Sequence, residues 1–245
     1  MFIRDDGIQL SAVLEKPEGS GRCPLVILLH GFSSTRNRTH NVLAAAAMRD
    51  AGFATLRFDL YGHGESGGEF RNHTLYKWIS NTLAVIDFVR QNGWTELYLS
   101  GHSQGGLVAA LAAGMERDRI RGLILRAPAF MIPQAARDGN LLGKTFDPDH
   151  VPDSVTAVNG LELNGNYIRT AQAVRAEDAA DGYKGPVLIL HGDEDDTVPL
   201  ADSRRMAERY ADCELAVLSG ETHHFDRHPE QMQALIRTWM KKIRS

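Results

Sequence analysis

The chain has 245 residues, 43% of them hydrophobic and 24% charged, a composition that excludes intrinsic disorder, a coiled coil and a collagen-like chain. Lys and Arg number 27 against 31 Asp and Glu, a formal net charge of −4, which argues against nucleic acid as the main partner because a phosphate binder carries a basic excess. This length suits one α/β domain whose core needs no covalent staples.

Phe2–Arg4 and Ile8–Glu15 flank Asp6-Gly7 and predict an opening hairpin. Met1–Gly7 has no basic stretch followed by an apolar one, so no signal peptide is expected. Pro24–His30 is a continuous apolar run of buried-strand type, and far too short to span a bilayer. The Ala-rich Asn41–Ala51 is a helix that Gly52 stops, and Phe53–Phe58 is the next strand. Leu75, Trp78, Ile79, Leu83, Ile86 and Val89 recur at helical spacing. Glu96–Leu99 is a strand, Leu107–Ala113 a helix and Arg121–Leu125 a strand. After a long interval come the strand Pro186–Leu190, a helix near Ser203–Tyr210 and the last strand Leu215–Leu218. A final helix carries Met232, Leu235, Ile236, Trp239, Met240 and Ile243 on one stripe, with Pro229 near its start. Strands alternating with helices predict βαβ units and a mainly parallel sheet.

The interval from Pro128 to Gly185 shows no strong strand and is rich in Gly, Asn, Asp and Pro. Asn159-Gly160 between Val155–Val158 and Leu161–Leu163 predicts a small hairpin. A segment of this length without strong elements is uncommon unless it carries function. It is read as an insertion over the mouth of the site, which divides the chain into a core of residues 1–127 and 185–245 and a cap of 128–184. Two cysteines, Cys23 and Cys213, form no CxxC pair and no disulfide framework. That usage favours a reducing, cytoplasmic compartment.

Gly101-His102-Ser103-Gln104-Gly105 matches G-x-S-x-G between a predicted strand and a small-residue helix, the setting of a nucleophile elbow. A serine there needs a base, and the base an orienting acid. Asp193, Glu194, Asp195 and Asp196 compete for the acid after the Pro186–Leu190 strand. His223 and His224 compete for the base after the last strand, with His228 further on. Asp59–Ser66 follows another strand and reads as structural, its aspartate and glycines shaping a loop.

With HGF at His30–Phe32, D-x-x-G-x-G-x-S at Asp59–Ser66, GHSQGG at Gly101–Gly106, HGDEDDTVP at His191–Pro199 and GETHHF at Gly220–Phe225, the chain resembles the α/β-hydrolase superfamily over nearly its whole length. It more closely resembles the bacterial cinnamoyl (feruloyl) esterases, which share the GHSQGG elbow and an insertion after the strand preceding Ala127-Pro128-Ala129. The resemblance implies a mostly parallel sheet flanked by helices, with an inserted cap. It also implies hydrolysis of hydroxycinnamate esters through an acyl-enzyme, with no metal or organic cofactor. General acyl-esterase, monoacylglycerol-lipase-like and peptidase activities, or a catalytically dead binding module, are the alternatives. The pattern H-G-x-x-D-x-x-V-P selects Asp195, and G-x-x-H-x-F selects His223, to serve Ser103. The backbone N–H groups of Gln104 and Phe32 are the expected oxyanion hole. Tyr167, with Asp138 and Gln134, is the expected contact for a substrate phenol in the insertion. The expected partner is a small ester, not nucleic acid or a membrane, and a homodimer is left open.

Overall fold

The protein is described by a computed structural model covering residues 1–19, 21–157 and 160–244. The runs Leu25–Leu29 (β3) and Ala54–Phe58 (β4) are buried at every position. Such strands need partners on both edges and helices on both faces. Both conditions are met by an eight-stranded sheet in the order β1–β2–β4–β3–β5–β6–β11–β12. Its other members are β1 (Phe2–Asp5), β2 (Ile8–Glu15), β5 (Leu97–His102), β6 (Ile120–Arg126), β11 (Val187–Gly192) and β12 (Cys213–Leu218). The first two form the expected hairpin, with Asp5 opposite Ile8, and β2 runs antiparallel to β4. From β4 to β12 every pairing is parallel.

Side chains alternate across each strand, so β3 splits between two cores. Leu25, Ile27 and Leu29 pack with α2 (Leu75–Gln91) and α3 (Gln104–Met115), together with Met206 of α7 (Leu200–Arg209). Val26 and Leu28 pack on the other face with α1 (Thr39–Asp50) and α8 (Pro229–Lys242). Helix α3 is apolar all round and is buried from Gln104 to Ala113, as a helix enclosed by its neighbours must be.

The insertion contains α4 (Ile132–Arg137), two small hairpins, α5 (Asn166–Gln172) and α6 (Glu177–Gly182). The hairpins pair β7 (Asn140–Leu141) with β8 (Lys144–Thr145), and β9 (Ser154–Thr156) with β10 (Glu162–Asn164). Val155 faces Leu163 in the second hairpin, while Val158 and Asn159 lie outside the described residues. These strands are two or three residues long, too short to leave a periodic signal in the sequence. Phe130, Ile132, Leu163, Tyr167, Ile168 and Ala179 belong to the same apolar cluster as β3 and α3. The insertion therefore has no core of its own. Its last helix, α6, lies against α3, where a methyl group on Gly182 would sit 3.0 Å from Gly114 Cα. Among the described residues no helix is long and apolar enough to cross a membrane.

Candidate active site

Parallel strands deliver the loops after β3, β5, β11 and β12 to one edge of the sheet, the edge where sites form in such folds. Ser103 stands between β5 and α3 at φ 56°, ψ −124°. Non-glycine residues rarely hold a positive φ, and such strain persists only where the surroundings enforce it. Here they do. A methyl group on Gly101 would lie 2.1 Å from the Gly105 carbonyl oxygen, and one on Gly105 would lie 2.1 Å from that of His30. Only bare backbone lets the β3 turn, the elbow and α3 approach so closely. Gly31 is packed on Ser103 in the same way, an added methyl group meeting its Cβ at 3.0 Å.

His223 lies in the loop after β12 and is 5% exposed. Its Nδ1 donates to Asp195 Oδ2 at 2.7 Å, which leaves Nε2 as the acceptor. Asp195 follows β11, with its side chain fully buried. Its Oδ1 accepts from the N–H groups of Thr197 and Val198, both at 2.8 Å. His191 adds a contact, with Nε2 at 3.2 Å from Asp195 Oδ2. Burial alone raises the Asp195 pKa, but hydrogen bonds from His191 and His223 outweigh it and hold the carboxyl well below the usual carboxylate range. Asp195 is thus an anion aimed at the base. Asp193 instead accepts from Gly220 N–H at 2.6 Å, and Glu194 pairs with Arg227; Asp193, Glu194 and Asp196 are exposed.

Two contacts tie the base loop down. His102, next to Ser103, donates from Nε2 to the His223 carbonyl at 2.8 Å. Buried Glu221 accepts from the N–H groups of Thr222 at 2.8 Å and His228 at 2.7 Å. Asp59, also buried, accepts from Arg36 N–H at 2.7 Å and Glu65 N–H at 3.1 Å, and pairs with the Arg36 guanidinium. That pairing braces the loop after β4 against the turn after β3.

Gln104 follows Ser103 in the chain and Phe32 follows Gly31, which packs on Ser103; no backbone hydrogen bond from the N–H of Phe32 or of Gln104 is found within the described residues. Tyr167 of α5 reaches both residues. Its hydroxyl donates to Gln104 Oε1 at 2.7 Å, and its ring centroid lies 6.2 Å from that of Phe32. One residue of the insertion thus contacts both residues expected to form the oxyanion hole. Tyr167 is fully buried, which pushes its pKa up and keeps the phenol protonated. Gln134 and Asp138 stand apart from this group. They are exposed, bond each other at 2.7 Å, and line a cleft of about 400 Å³ with Met131, Asn140 and Arg205.

The sequence reading passed over His191, Glu221 and the Tyr167–Gln104 bond. The first two sit in the motifs that carry Asp195 and His223, so their place beside them was available as a signal. The third joins residues 63 apart in the chain and left none.

Residues 22–156 match the family described as serine aminopeptidase, S33. The Est1E protein of Butyrivibrio proteoclasticus, solved with ferulic acid bound, is 45% identical to this chain; the match covers 99% of this chain and 98% of that one, with a TM-score of 0.97. The monoacylglycerol lipase of Mycolicibacterium smegmatis is 26% identical, over 88% of this chain and 87% of its own. The human mitochondrial palmitoyl-protein thioesterase ABHD10 is 25% identical, over 89% and 72%.

Proposed function

The chain belongs to the serine aminopeptidase S33 family of α/β hydrolases, and from that premise we propose that it is a serine carboxylesterase that cleaves hydroxycinnamate esters. The observation that carries this reading is the full-length likeness, at 45% identity, to a protein solved with ferulic acid bound. The Asp195–His223 bond, the strained backbone of Ser103 and the bond from the adjacent His102 to the His223 carbonyl support the chemistry.

Ser103 Oγ attacks the ester carbonyl carbon while His223 Nε2 takes its proton. The carbonyl electron pair moves onto oxygen, which the N–H groups of Phe32 and Gln104 stabilise. Collapse breaks the bond to the alcohol oxygen, which leaves with the proton from His223. Water then attacks the acyl-serine by the same route and frees the acid and Ser103. Tyr167 holds Gln104 in place and forms an apolar wall, while Asp138 and Gln134 meet the phenolic hydroxyl at the far end of the acyl group. No metal takes part in these steps. A cytoplasmic location, supported by the scarcity of cysteine, belongs to the same reading. The partner is a small ester, with no role for nucleic acid or a membrane, and a homodimer is compatible with it.

The test compares kcat/KM for methyl ferulate with that for methyl butyrate, a monoacylglycerol and an aminoacyl p-nitroanilide. Methyl ferulate is expected to be the best of the four. A higher value for the monoacylglycerol or the anilide would move the protein to lipase or peptidase chemistry.

A further inference from the structure

Three histidines that serve no step above meet beside the base. His40 opens α1, His102 ends β5 and His224 follows His223. One ring nitrogen from each lies within 4.8 Å of those from the other two. The ring centroids of His40 and His102 are 4.2 Å apart, and His224 lies 5.5 Å and 5.8 Å from them. His40 and His102 are 3% and 1% exposed.

Two buried nitrogens in this group have no hydrogen-bond partner, His40 Nε2 and His102 Nδ1. Buried polar atoms without a partner are rare and call for an explanation. His102 spends Nε2 on the His223 carbonyl, which leaves Nδ1 as its open donor atom. A carbonyl bond on one ring nitrogen with the other left open is the usual state of a metal-binding imidazole. The site also has a way in. His40 and His224 line a cleft of about 240 Å³ with Arg38, Thr39 and Asp226, and His224 is exposed.

We propose that His40, His102 and His224 form a binding site for a divalent transition metal, with zinc as the fitting ion. Three neutral imidazoles and one open position are a recurrent zinc set, with Zn–N distances of about 2.0–2.1 Å. The three ring nitrogens lie within 4.8 Å of one another, and the exposed His224 side chain has room to adjust that spacing. Asp226, on the wall of the cleft, supplies negative charge nearby. Arg126 works against the ion, since its guanidinium donates to the His40 carbonyl at 3.2 Å from behind. The all-imidazole ligand set disfavours magnesium and calcium, which take oxygen ligands.

The ion would hold the base loop through His224 and through His102, whose Nε2 bonds the His223 carbonyl. The site stands without any assumption about the substrate, so its test needs no ester.

The experiment titrates chelator-stripped protein with zinc by calorimetry, and with cobalt(II) as an absorbing stand-in. One saturable site is expected, with intense visible cobalt bands of four-coordinate geometry. His224→Gln, at an exposed position, should lose that site, and so should His40→Gln. His150→Gln, which removes an exposed histidine paired with Asp147, should keep it. Absence of saturable binding, or binding that survives both His224→Gln and His40→Gln, would overturn the proposal. Loss in His150→Gln alone would also overturn it, by moving the metal to the surface.

Discussion

At the scale of single residues, environment decides which of several like groups does the chemistry. Four acidic side chains follow β11, yet only Asp195 is fully buried and bonded to an imidazole. Asp195→Asn should therefore lower kcat by about ten-thousand-fold, by favouring the wrong tautomer of His223. Asp193→Asn loses one contact to Gly220 and should stay within a few-fold of the parent. His223→Gln should be as severe as the loss of the nucleophile, and His224→Gln mild. Steady-state kinetics on one ester measure all four, and a reversal of the severe and mild pairs would reassign both roles. The motifs alone picked Asp195 and His223 from their neighbours. What sequence could not supply is the full reason, because burial comes only with the fold and the bond from His102 to the His223 carbonyl joins residues far apart in the chain.

At the scale of elements, the elbow and the insertion behave differently. The elbow was legible because its glycines and its strand–helix context are local. Gly105→Ala would drive a methyl group into the His30 carbonyl oxygen, at 2.1 Å. Backbone on both sides cannot yield, so this variant should lose activity and unfold at lower temperature, which thermal denaturation with an ester assay would show. Normal stability there would mean that the elbow is looser than described. The insertion was recognised as a break in rhythm, and its second hairpin from the Asn159-Gly160 turn signal, but the β7–β8 hairpin and the shared core were not, since two-residue strands leave no period to read. Tyr167→Phe removes the bond to Gln104 Oε1 and leaves that buried oxygen unpaired. It should depress kcat/KM for methyl ferulate and methyl cinnamate alike. Asp138→Ala should hurt ferulate more, because cinnamate lacks the phenol that a matching polar group would read. A ferulate-selective loss in Tyr167→Phe would instead make its hydroxyl a direct reader of the substrate.

For the molecule as a whole, alternation of strands and helices was enough to predict a mostly parallel sheet, because each buried run is bounded by turn residues. Strand order was not legible in the same way: β4 precedes β3 in the sheet, and nothing local in either run says so. The same fold buries histidines whose protonation the core resists. His30 and His73 are each pushed down to about 3, first by burial and then by neighbouring His63. The unfolded chain takes up these protons near pH 6.5, and the folded chain does not. Their contribution is present above pH 6.5 and is lost as pH falls towards 3, each adding about 1.4 kcal/mol per pH unit to the slope of stability. Urea unfolding between pH 7 and 4 should show a shallower slope in His73→Gln than in the parent, and equal slopes would refute the assignment.

If Ser103 carries the acyl group of a hydroxycinnamate ester, turnover depends on its hydroxyl. Turnover of methyl ferulate is to be measured in the parent and in Ser103→Ala, with circular dichroism to confirm that both are folded. Efficient hydrolysis by the parent and a loss of about a million-fold in the variant are expected. A folded Ser103→Ala protein that still hydrolyses methyl ferulate at the parent rate would contradict that dependence.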